Sequence, residues 1–519
     1  MGRLYNKSKS ESYQDYFAKQ ESIERKLQQY SINDKKFVGI AAGKGTFQEG
    51  GKGGVPISWN REKQYVYVDH TDSHTLILGA TGSQKTRIGI MPTVMILGQA
   101  GESMIITDPK AEICNRTAYY LEELGYDIQI LNLRETTTGD GWNPLSIPYI
   151  FYLEGNVDRA YEFVSDIAHN LMNSDVGNSK DPFWDNSAES LFFGLTILMF
   201  KYCKDFHFAQ EYVNVNNIIR LREKMFTGNT ISIITNKIWQ YGKKDDFIYS
   251  ALVGTVETAT DTRAGILSVF DEKMTCFRIQ PGLLQALCEN SIDFENLGKQ
   301  KKAIYIIMPD EKTIFHKLVS LFVKQSYEYL IYQVHNESTD DNNRLAYRVN
   351  YIIDEFSALP AIKDFPAMIT AARSRNIRFF LVAQSKKQIV QKYGEEAESI
   401  QSNCNNWLFF TSRELDLLKE LSELCGLNNK QKHILEVAEL QHLSKEDHEV
   451  LILSGRNLPY IAMLPDIDQY QAEWENYVIR RREVEPICIL DYEEIMEPSL
   501  LKNNLNSKEY DMKHRERKE

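Results

Sequence analysis

The fold of this chain is decided by the glycine-rich stretch Gly79-Ala80-Thr81-Gly82-Ser83-Gln84-Lys85-Thr86. The apolar run Thr75–Leu78 precedes it and predicts a strand, and Lys85–Gly98 has the pattern of a helix. A strand, a glycine-rich turn and a helix in this order are typical of a phosphate-binding loop. In such a loop, backbone N–H groups surround phosphate oxygens, the lysine meets the outer phosphates, and the threonine hydroxyl binds magnesium. For this segment alone, the alternative is an ordinary glycine-containing turn before a helix.

One residue departs from the phosphate-loop pattern. The pattern G-x-x-x-x-G-K-[ST] has a glycine where this chain has Gln84. We expect a side chain at this position to hinder the approach of the loop backbone to a nucleotide. The sequence therefore leaves open the rate of nucleotide hydrolysis, and whether hydrolysis occurs at all.

A second motif lies far downstream, where the apolar run Val349–Ile353 ends in two carboxylates, Asp354 and Glu355. Nucleotides bind at the carboxyl ends of strands in open α/β sheets, so this pair matches a Walker B element. We expect Asp354 to hold magnesium through water, and Glu355 to position or polarise the water that attacks the terminal phosphate. Without the phosphate loop, a strand that ends in Asp-Glu more commonly marks a solvated loop.

A third group of polar residues flanks the predicted strand Arg378–Ala383. Gln384 follows this strand, and an amide at this place is suited to sensing the terminal phosphate. Arg373 and Arg375 precede it, and an arginine there is suited to reach a neighbouring subunit's nucleotide and neutralise transition-state charge. Arg373 is preferred over Arg375. The alternative for each arginine is a surface ion pair.

Composition excludes several classes of protein. The 519 residues include 60 Lys and Arg against 72 Asp and Glu. This acidic balance argues against a protein that coats nucleic acid with its whole surface. A basic channel inside an acidic shell is compatible with the composition. The seven cysteines are scattered, without C-x-x-C spacing, and indicate neither a disulfide framework nor a zinc site. Met1–Gln20 lacks the apolar core of a secretion signal. The longest apolar run, Leu191–Phe200, is shorter than the ~20 residues of a membrane span and predicts a buried helix.

The order of the elements predicts an α/β fold with a mainly parallel central sheet and an inserted all-α domain. A hairpin is expected at Val450–Leu453 and Tyr460–Met463, followed by a charged helix at Asp468–Arg482. We divide the chain into an N-terminal appendage without a transmembrane helix, a first part of the nucleotide-binding domain, an inserted helical domain, a second part of the nucleotide-binding domain, and a charged C-terminal tail. These segments are residues 1–62, 63–150, 151–295, 296–485 and 486–519.

The chain resembles the TraG/TraD-like coupling proteins of conjugation and type IV secretion. The resemblance rests on short sequence blocks that occur in the same order in this chain and in those proteins. The blocks are His74–Ser83, Ile106–Lys110, Asn143–Leu145, Asp181–Trp184, Ile353–Phe356, Arg373–Ile377 and Ala383–Ser385. The ordered set is more specific than any single motif, because FtsK-like and HerA-like motors share the phosphate loop and Walker B but not the Asp-Pro-Lys block.

The resemblance implies a RecA-like P-loop domain with a helical insertion, which assembles as a homo-hexamer, binds DNA and hydrolyses ATP with Mg²⁺. It assigns the roles argued above to Lys85, Thr86, Asp354, Glu355, Gln384 and Arg373. The implied partners are DNA, expected to be single-stranded, the relaxase or relaxosome, and membrane components of a type IV secretion system. Many members carry amino-terminal transmembrane helices and this chain shows none, so we expect a cytoplasmic protein that partners recruit to the inner face of the membrane.

Three functions are consistent with these features. The first is an ATP-driven pump that moves DNA or a relaxase–DNA complex into the secretion channel. The second is a nucleotide-binding adaptor that assembles without hydrolysis, which Gln84 favours. The third is a related DNA translocase of the FtsK or HerA type.

Overall fold

A computed structural model describes Glu24 and residues 27–32, 39–40, 52–173, 181–226, 233–337, 343–428, 431–455, 457–470, 475–483 and 485–492. The chain divides into two compact units. The first, which we call the sheet unit, comprises Met1–Gly139 and Ile292–Arg481. The second, the helical unit, comprises Asp140–Ser291 and Arg482–Glu519. Most of the predicted appendage and residues 493–519 of the predicted tail lie outside the described residues.

The smaller of two sheets in the sheet unit is antiparallel, with strand order β2-β1-β4-β3. Its strands are Gln28–Ser31 (β1), Gly39–Ile40 (β2), Val55–Asn60 (β3) and Tyr65–Asp69 (β4). The β3–β4 hairpin crosses residue 62, where the sequence analysis ends the appendage. Val66 and Val68 are fully buried in the same hydrophobic core as residues of the larger sheet. Burial of this apolar face explains why the segment folds with the sheet unit.

The larger sheet has nine strands in the order β13-β12-β11-β5-β10-β9-β6-β8-β7. They are Thr75–Leu78 (β5), Ser103–Asp108 (β6), Asp127–Asn132 (β7), Lys302–Ile307 (β8), Val349–Ile353 (β9), Ile377–Ala383 (β10), Asn406–Phe409 (β11), Glu449–Ser454 (β12) and Tyr460–Met463 (β13). All neighbours from β11 to β7 are parallel, and β12–β13 is an antiparallel hairpin at one edge. Every residue of β5, β6, β8, β9 and β10 is buried. This confirms the predicted α/β class, since central parallel strands are covered on both faces.

The α-helices are Met91–Gln99 (α1), Glu112–Glu123 (α2), Ser146–Leu153 (α3), Val157–Met172 (α4), Pro182–Asp205 (α5), Val215–Met225 (α6), Ile233–Gly242 (α7), Asp246–Val256 (α8), Thr260–Ile279 (α9), Pro281–Ala286 (α10), Thr313–Glu337 (α11), Phe365–Ala372 (α12), Lys386–Tyr393 (α13), Glu396–Asn403 (α14), Leu415–Leu424 (α15) and Val437–Gln441 (α16). A π-helical turn at Lys85–Ile90 leads directly into α1. The predicted helix Lys85–Gly98 therefore exists, but its first turns are wider than α-helical.

The helical unit is built around α5. Asp181 caps this helix by accepting a hydrogen bond from the Phe183 N–H at 3.0 Å, and Pro182 occupies its first turn. The apolar run Leu191–Phe200 lies inside α5 and is almost wholly buried, as predicted. Every element of the helical unit that the structure describes is helical, as predicted for the insertion. Among the described helices, none combines the length and the apolar character needed to cross a bilayer.

The prediction of a helix at Asp468–Arg482 is wrong for the residues that the structure describes. A 3₁₀ turn at Ile467–Gln469 is its only helical part, and residues 475–483 are irregular. The Gly139 N–H donates to the carbonyl of Arg480 at 2.9 Å, and Thr138 forms a β-bridge with Arg481. These long-range backbone hydrogen bonds replace the local ones of a helix.

The start of the predicted C-terminal tail is also packed. Within the helical unit, Leu490 and Tyr492 are each 1% exposed. The Asn217 side chain accepts from the Leu490 N–H at 3.0 Å, and the Tyr492 hydroxyl donates to the Asn217 carbonyl at 3.1 Å. Charge composition concealed these two apolar anchors.

Candidate active site

The carboxyl ends of four neighbouring parallel strands, β5, β10, β9 and β6, form the candidate site. Parallel strands all end at the same edge of a sheet, so residues that follow them are brought together from distant parts of the sequence. The phosphate loop follows β5, Gln384 follows β10, Asp354 follows β9, and Asp108 ends β6.

Backbone hydrogen bonds to the neighbouring strands hold the loop Gly79–Thr86. The Gly79 N–H donates to the Ala383 carbonyl at 3.2 Å, and the Ala80 N–H donates to the Thr411 carbonyl at 2.8 Å. A Cβ on Gly79 would lie 2.6 Å from Ser83 Oγ, so a larger residue there would force the Ser83 side chain to move. The loop is thereby anchored on both sides of β5.

Gln84 adopts the left-handed conformation for which glycine is usual. Its φ is 67° and its ψ is 17°, and Gly82 also has a positive φ of 74°. The left-handed region costs a residue with a Cβ about 1–2 kcal/mol. The backbone of the loop therefore follows a path suited to glycine although the residue is glutamine. Its Oε1 is buried and has no hydrogen bond within the described residues.

The Lys85 ammonium lies inside the loop. Lys85 is 7% exposed, and its Nζ donates to the carbonyls of Gly79 and Ala80 at 2.5 and 3.1 Å. Burial lowers the pKa of Lys85, and the nearby Glu355 and Asp354 act in the opposite direction. The neighbouring Thr86 is partly exposed in the π-helical turn. A buried cation beside two carboxylates is suited to bind a negatively charged phosphate group.

Asp354 is buried next to other carboxylates. Burial, followed by the charges of Glu355 and Asp108, raises the pKa of Asp354 to about 7, while Lys85 lowers it. The Thr107 hydroxyl donates to the Asp354 carbonyl at 2.9 Å and ties the ends of β6 and β9 together. A divalent cation would relieve the repulsion between these carboxylates, so the donor set fits magnesium.

Gln384 links the phosphate loop to Glu355. The Gln384 Nε2 donates to both carboxylate oxygens of Glu355, at 2.8 and 2.9 Å, while its Oε1 accepts from the Thr81 hydroxyl at 2.8 Å. Glu355 itself has a positive φ of 56°. Strained backbone of this kind persists where the surrounding structure enforces it, and it is frequent at functional sites. The structure thus brings together residues predicted from three separate motifs.

A sequence model of the family described as "Type IV secretory system Conjugative DNA transfer" matches residues 16–442. The chain belongs to this family. Among curated protein sequences, none matches it.

Solved structures of the conjugative coupling protein TrwB share the fold of this chain. TrwBdeltaN70 in its unbound monoclinic form is 14% identical, with 86% of this chain and 92% of that chain covered and a TM-score of 0.54. TrwB with the non-hydrolysable ATP analogue ADPNP is 13% identical, with 81% and 88% covered and a TM-score of 0.52. TrwB with ADP and Mg²⁺ is 14% identical, with 80% and 87% covered and a TM-score of 0.51. The RecA-like P-loop class predicted for the chain is confirmed by this likeness.

The two arginines lie at the amino end of β10, opposite to the end where the candidate site lies. Arg373 is exposed and Arg375 is partly exposed in a 3₁₀ turn that precedes β10, whereas Gln384 follows the same strand. The seven residues of β10 span about 23 Å at ~3.3 Å per residue. The structure therefore does not bring Arg373 or Arg375 to the phosphate loop of their own chain.

Asp108 is a member of the site to which sequence reasoning assigned no role. The block Asp108-Pro109-Lys110 served only to support the family resemblance. Two charges of this block reach the site, because Asp108 raises the pKa of Asp354 and Lys110 lowers the pKa of Lys85. An acidic residue at the end of an apolar run was the available signal, but its relevance depends on β6 lying next to β9.

Proposed function

We propose that this chain is an ATP-dependent coupling protein that recruits DNA, or a relaxase–DNA complex, and pumps it into a type IV secretion channel. The observation that carries the proposal is the convergence of Lys85, Asp354, Glu355 and Gln384 at one sheet edge. Membership of the conjugative DNA transfer family supports the coupling role. The TrwB complexes with ADPNP, and with ADP and Mg²⁺, support the choice of nucleotide and metal.

The residues of the loop are proposed to bind ATP. The backbone N–H groups of Gly79–Thr86 face the phosphates, and the Lys85 ammonium exchanges its two loop carbonyls for phosphate oxygens. The Thr86 hydroxyl and Asp354 hold Mg²⁺, which neutralises phosphate charge when it is bound. Asp354 would hold the ion through a water, and the positive charge of the ion would favour the deprotonated carboxylate.

Glu355 and Gln384 are proposed to control the attacking water. In this structure both Glu355 oxygens accept hydrogen bonds from the Gln384 amide. When Gln384 instead contacts the terminal phosphate, Glu355 becomes free to accept a hydrogen bond from the water and to polarise it. Gln384 also accepts a hydrogen bond from Thr81 in the loop. A nucleotide that occupies the loop would therefore displace Gln384 and so free Glu355.

Arg373 is proposed to act on a neighbouring subunit. Its place at the amino end of β10 keeps it from its own loop, so a ring of identical chains, expected to be a hexamer, would deliver it in trans. Single-stranded DNA would pass through this ring at the cytoplasmic face of the membrane. The relaxase and the membrane components of the secretion system would supply cargo and anchorage.

The test is ATP turnover by the purified chain with and without single-stranded DNA. We expect DNA to stimulate turnover and Lys85→Ala to abolish it, and the absence of any stimulation in the wild type would reject the pump. Mixing Lys85→Ala with Arg373→Ala subunits should restore part of the activity, because each variant supplies what the other lacks. Arg375→Ala in place of Arg373→Ala is the matched control. If the mixtures stay inactive, Arg373 does not act in trans.

A nucleotide-binding adaptor that assembles without hydrolysis is the second candidate. Two observations favour it: a glutamine side chain at the left-handed position of the loop, and the double hydrogen bond from Gln384 to Glu355. The adaptor predicts nucleotide-dependent assembly without turnover. A large gain of activity in Gln84→Gly would also favour it, because the wild-type loop would then be the obstacle.

A further inference from the structure

Asp108 lies beside Asp354 at the ends of two adjacent parallel strands. The register of β6 and β9 pairs Thr107 with Ile353, so the next residues on the two strands, Asp108 and Asp354, stand side by side. The hydrogen bond from the Thr107 hydroxyl to the Asp354 carbonyl fixes this register at the edge of the sheet.

Within the part of the chain that the structure describes, Oδ2 of Asp108 accepts a hydrogen bond, whereas the nearby backbone N–H groups of Lys110 and Ile113 leave Oδ1 without one. Oδ2 accepts a hydrogen bond of 2.7 Å from the Cys114 N–H in the first turn of α2. Asp108 is 1% exposed, and its Oδ1 is buried without a hydrogen-bond partner among the described residues. Leaving a buried acceptor without a partner is unfavourable, and more so when the acceptor is charged. The hydrogen bond to the first turn of α2 accounts for the burial of Oδ2 but not for that of Oδ1.

The charges around Asp108 point to a cation. The carboxylates of Asp354 and Glu112 both lie near Asp108. Among the described residues, no group of three or more His, Cys, Asp or Glu side chains is arranged to hold a metal ion directly. Magnesium commonly keeps several waters and takes only one or two carboxylates besides the phosphates. Such an ion needs protein oxygens that accept hydrogen bonds from its waters.

We propose that Asp108 is a positioning residue for magnesium, whose Oδ1 accepts a hydrogen bond from a water of the ion that Asp354 holds. The inference rests on the proposed function, since it concerns magnesium bound with a nucleotide. It gives the Asp-Pro-Lys block a physical role: the cap on α2 orients the carboxylate, and the unpartnered oxygen meets the metal water. Outer partners of this kind typically contribute 10–100-fold to metal affinity.

The test compares binding of the fluorescent nucleotide mant-ATP in excess Mg²⁺ and in EDTA. Asp108→Asn keeps an oxygen for the Cys114 N–H but removes the charge. We expect the Mg²⁺-dependent gain in affinity to fall about 10–100-fold in this variant. Affinity in EDTA should stay equal or increase, because a negative charge near the phosphates has been removed. Glu123→Gln is the matched control, since it removes an exposed carboxylate from the last turn of the same helix, α2, and should leave both affinities unchanged.

Each outcome is decisive. If mant-ATP affinity falls by the same factor in Mg²⁺ and in EDTA when Asp108 is replaced by Asn, the residue only supports the fold, and the inference is overturned. If the Mg²⁺-dependent gain is unchanged, it is also overturned. Asp108→Ala, which loses the cap as well, should lower the melting temperature in EDTA more than Asp108→Asn does. A wild type that binds no mant-ATP would instead overturn the proposed function itself.

Discussion

Replacing Glu355 with glutamine tests the proposed chemistry at its most specific point. The substitution keeps the shape of the side chain and removes one negative charge. In the wild type, Glu355 accepts two hydrogen bonds from Gln384, at 2.8 and 2.9 Å. Glutamine at this position retains an oxygen that accepts one of them. The fold and the loop should therefore stay intact while the group that polarises water is lost.

The expected magnitudes differ for binding and for chemistry. A positioned general base typically contributes 10²–10⁴-fold, or about 3–5 kcal/mol of barrier, so turnover should fall at least 100-fold. Glu355 is one of the groups that raise the pKa of Asp354, so that pKa should decrease in the variant and favour the magnesium-binding form near neutral pH. Nucleotide affinity should therefore be equal or tighter.

The assay measures DNA-stimulated phosphate release and mant-ATP affinity on the same preparation. The matched control is Glu123→Gln, which removes an exposed carboxylate from α2. A variant that keeps more than about a tenth of wild-type turnover would show that another group activates the water. Parallel loss of nucleotide binding would show that Glu355 supports the fold of the site instead.

Two further predictions concern stability. Gln84→Gly removes the strain of a left-handed φ of 67° but increases the conformational entropy of the unfolded chain. Each effect changes the free energy of unfolding by about 1 kcal/mol, and the two nearly cancel. A change above about 1 kcal/mol in chemical denaturation would contradict this prediction. Burial, opposed by a hydrogen bond to Ile369, lowers the pKa of His74 from 6.5 to about 4. The folded state therefore resists protonation, and wild-type stability should fall by up to about 3 kcal/mol as pH drops from 6.5 to 4. His74→Gln should be less stable at pH 8 but lose less on acidification, and parallel pH curves for the two proteins would contradict the prediction.

Much of the sheet unit could be predicted from local patterns. The predicted strands Thr75–Leu78, Val349–Ile353 and Arg378–Ala383 correspond to β5, β9 and β10, whose residues are all buried, as central strands of a parallel sheet are. The sequence predicts a phosphate loop because glycines, a lysine and a threonine occur at set spacings between a strand and a helix. Both predictions depend only on residues that are neighbours in the sequence, so they can be made without the tertiary structure.

Other features depended on which strands lie side by side. The sequence predicted a charged helix at Asp468–Arg482, but pairing of this segment with Thr138 and Gly139 prevailed. Charge predicted a tail after residue 485, but Leu490 and Tyr492 anchor its first part in the helical unit. In both cases long-range hydrogen bonds or burial outweighed a weak local preference.

The sequence by itself determined that a nucleotide loop and an acidic strand end are present. Only the tertiary structure decided that Gln384 contacts Glu355, that Asp108 joins Asp354, and that Arg373 lies at the far edge of the sheet. The physical reason is that strand order sets which ends are neighbours. Residues hundreds of positions apart meet across strands less than 5 Å apart, while residues at the two ends of one strand are separated by its full length.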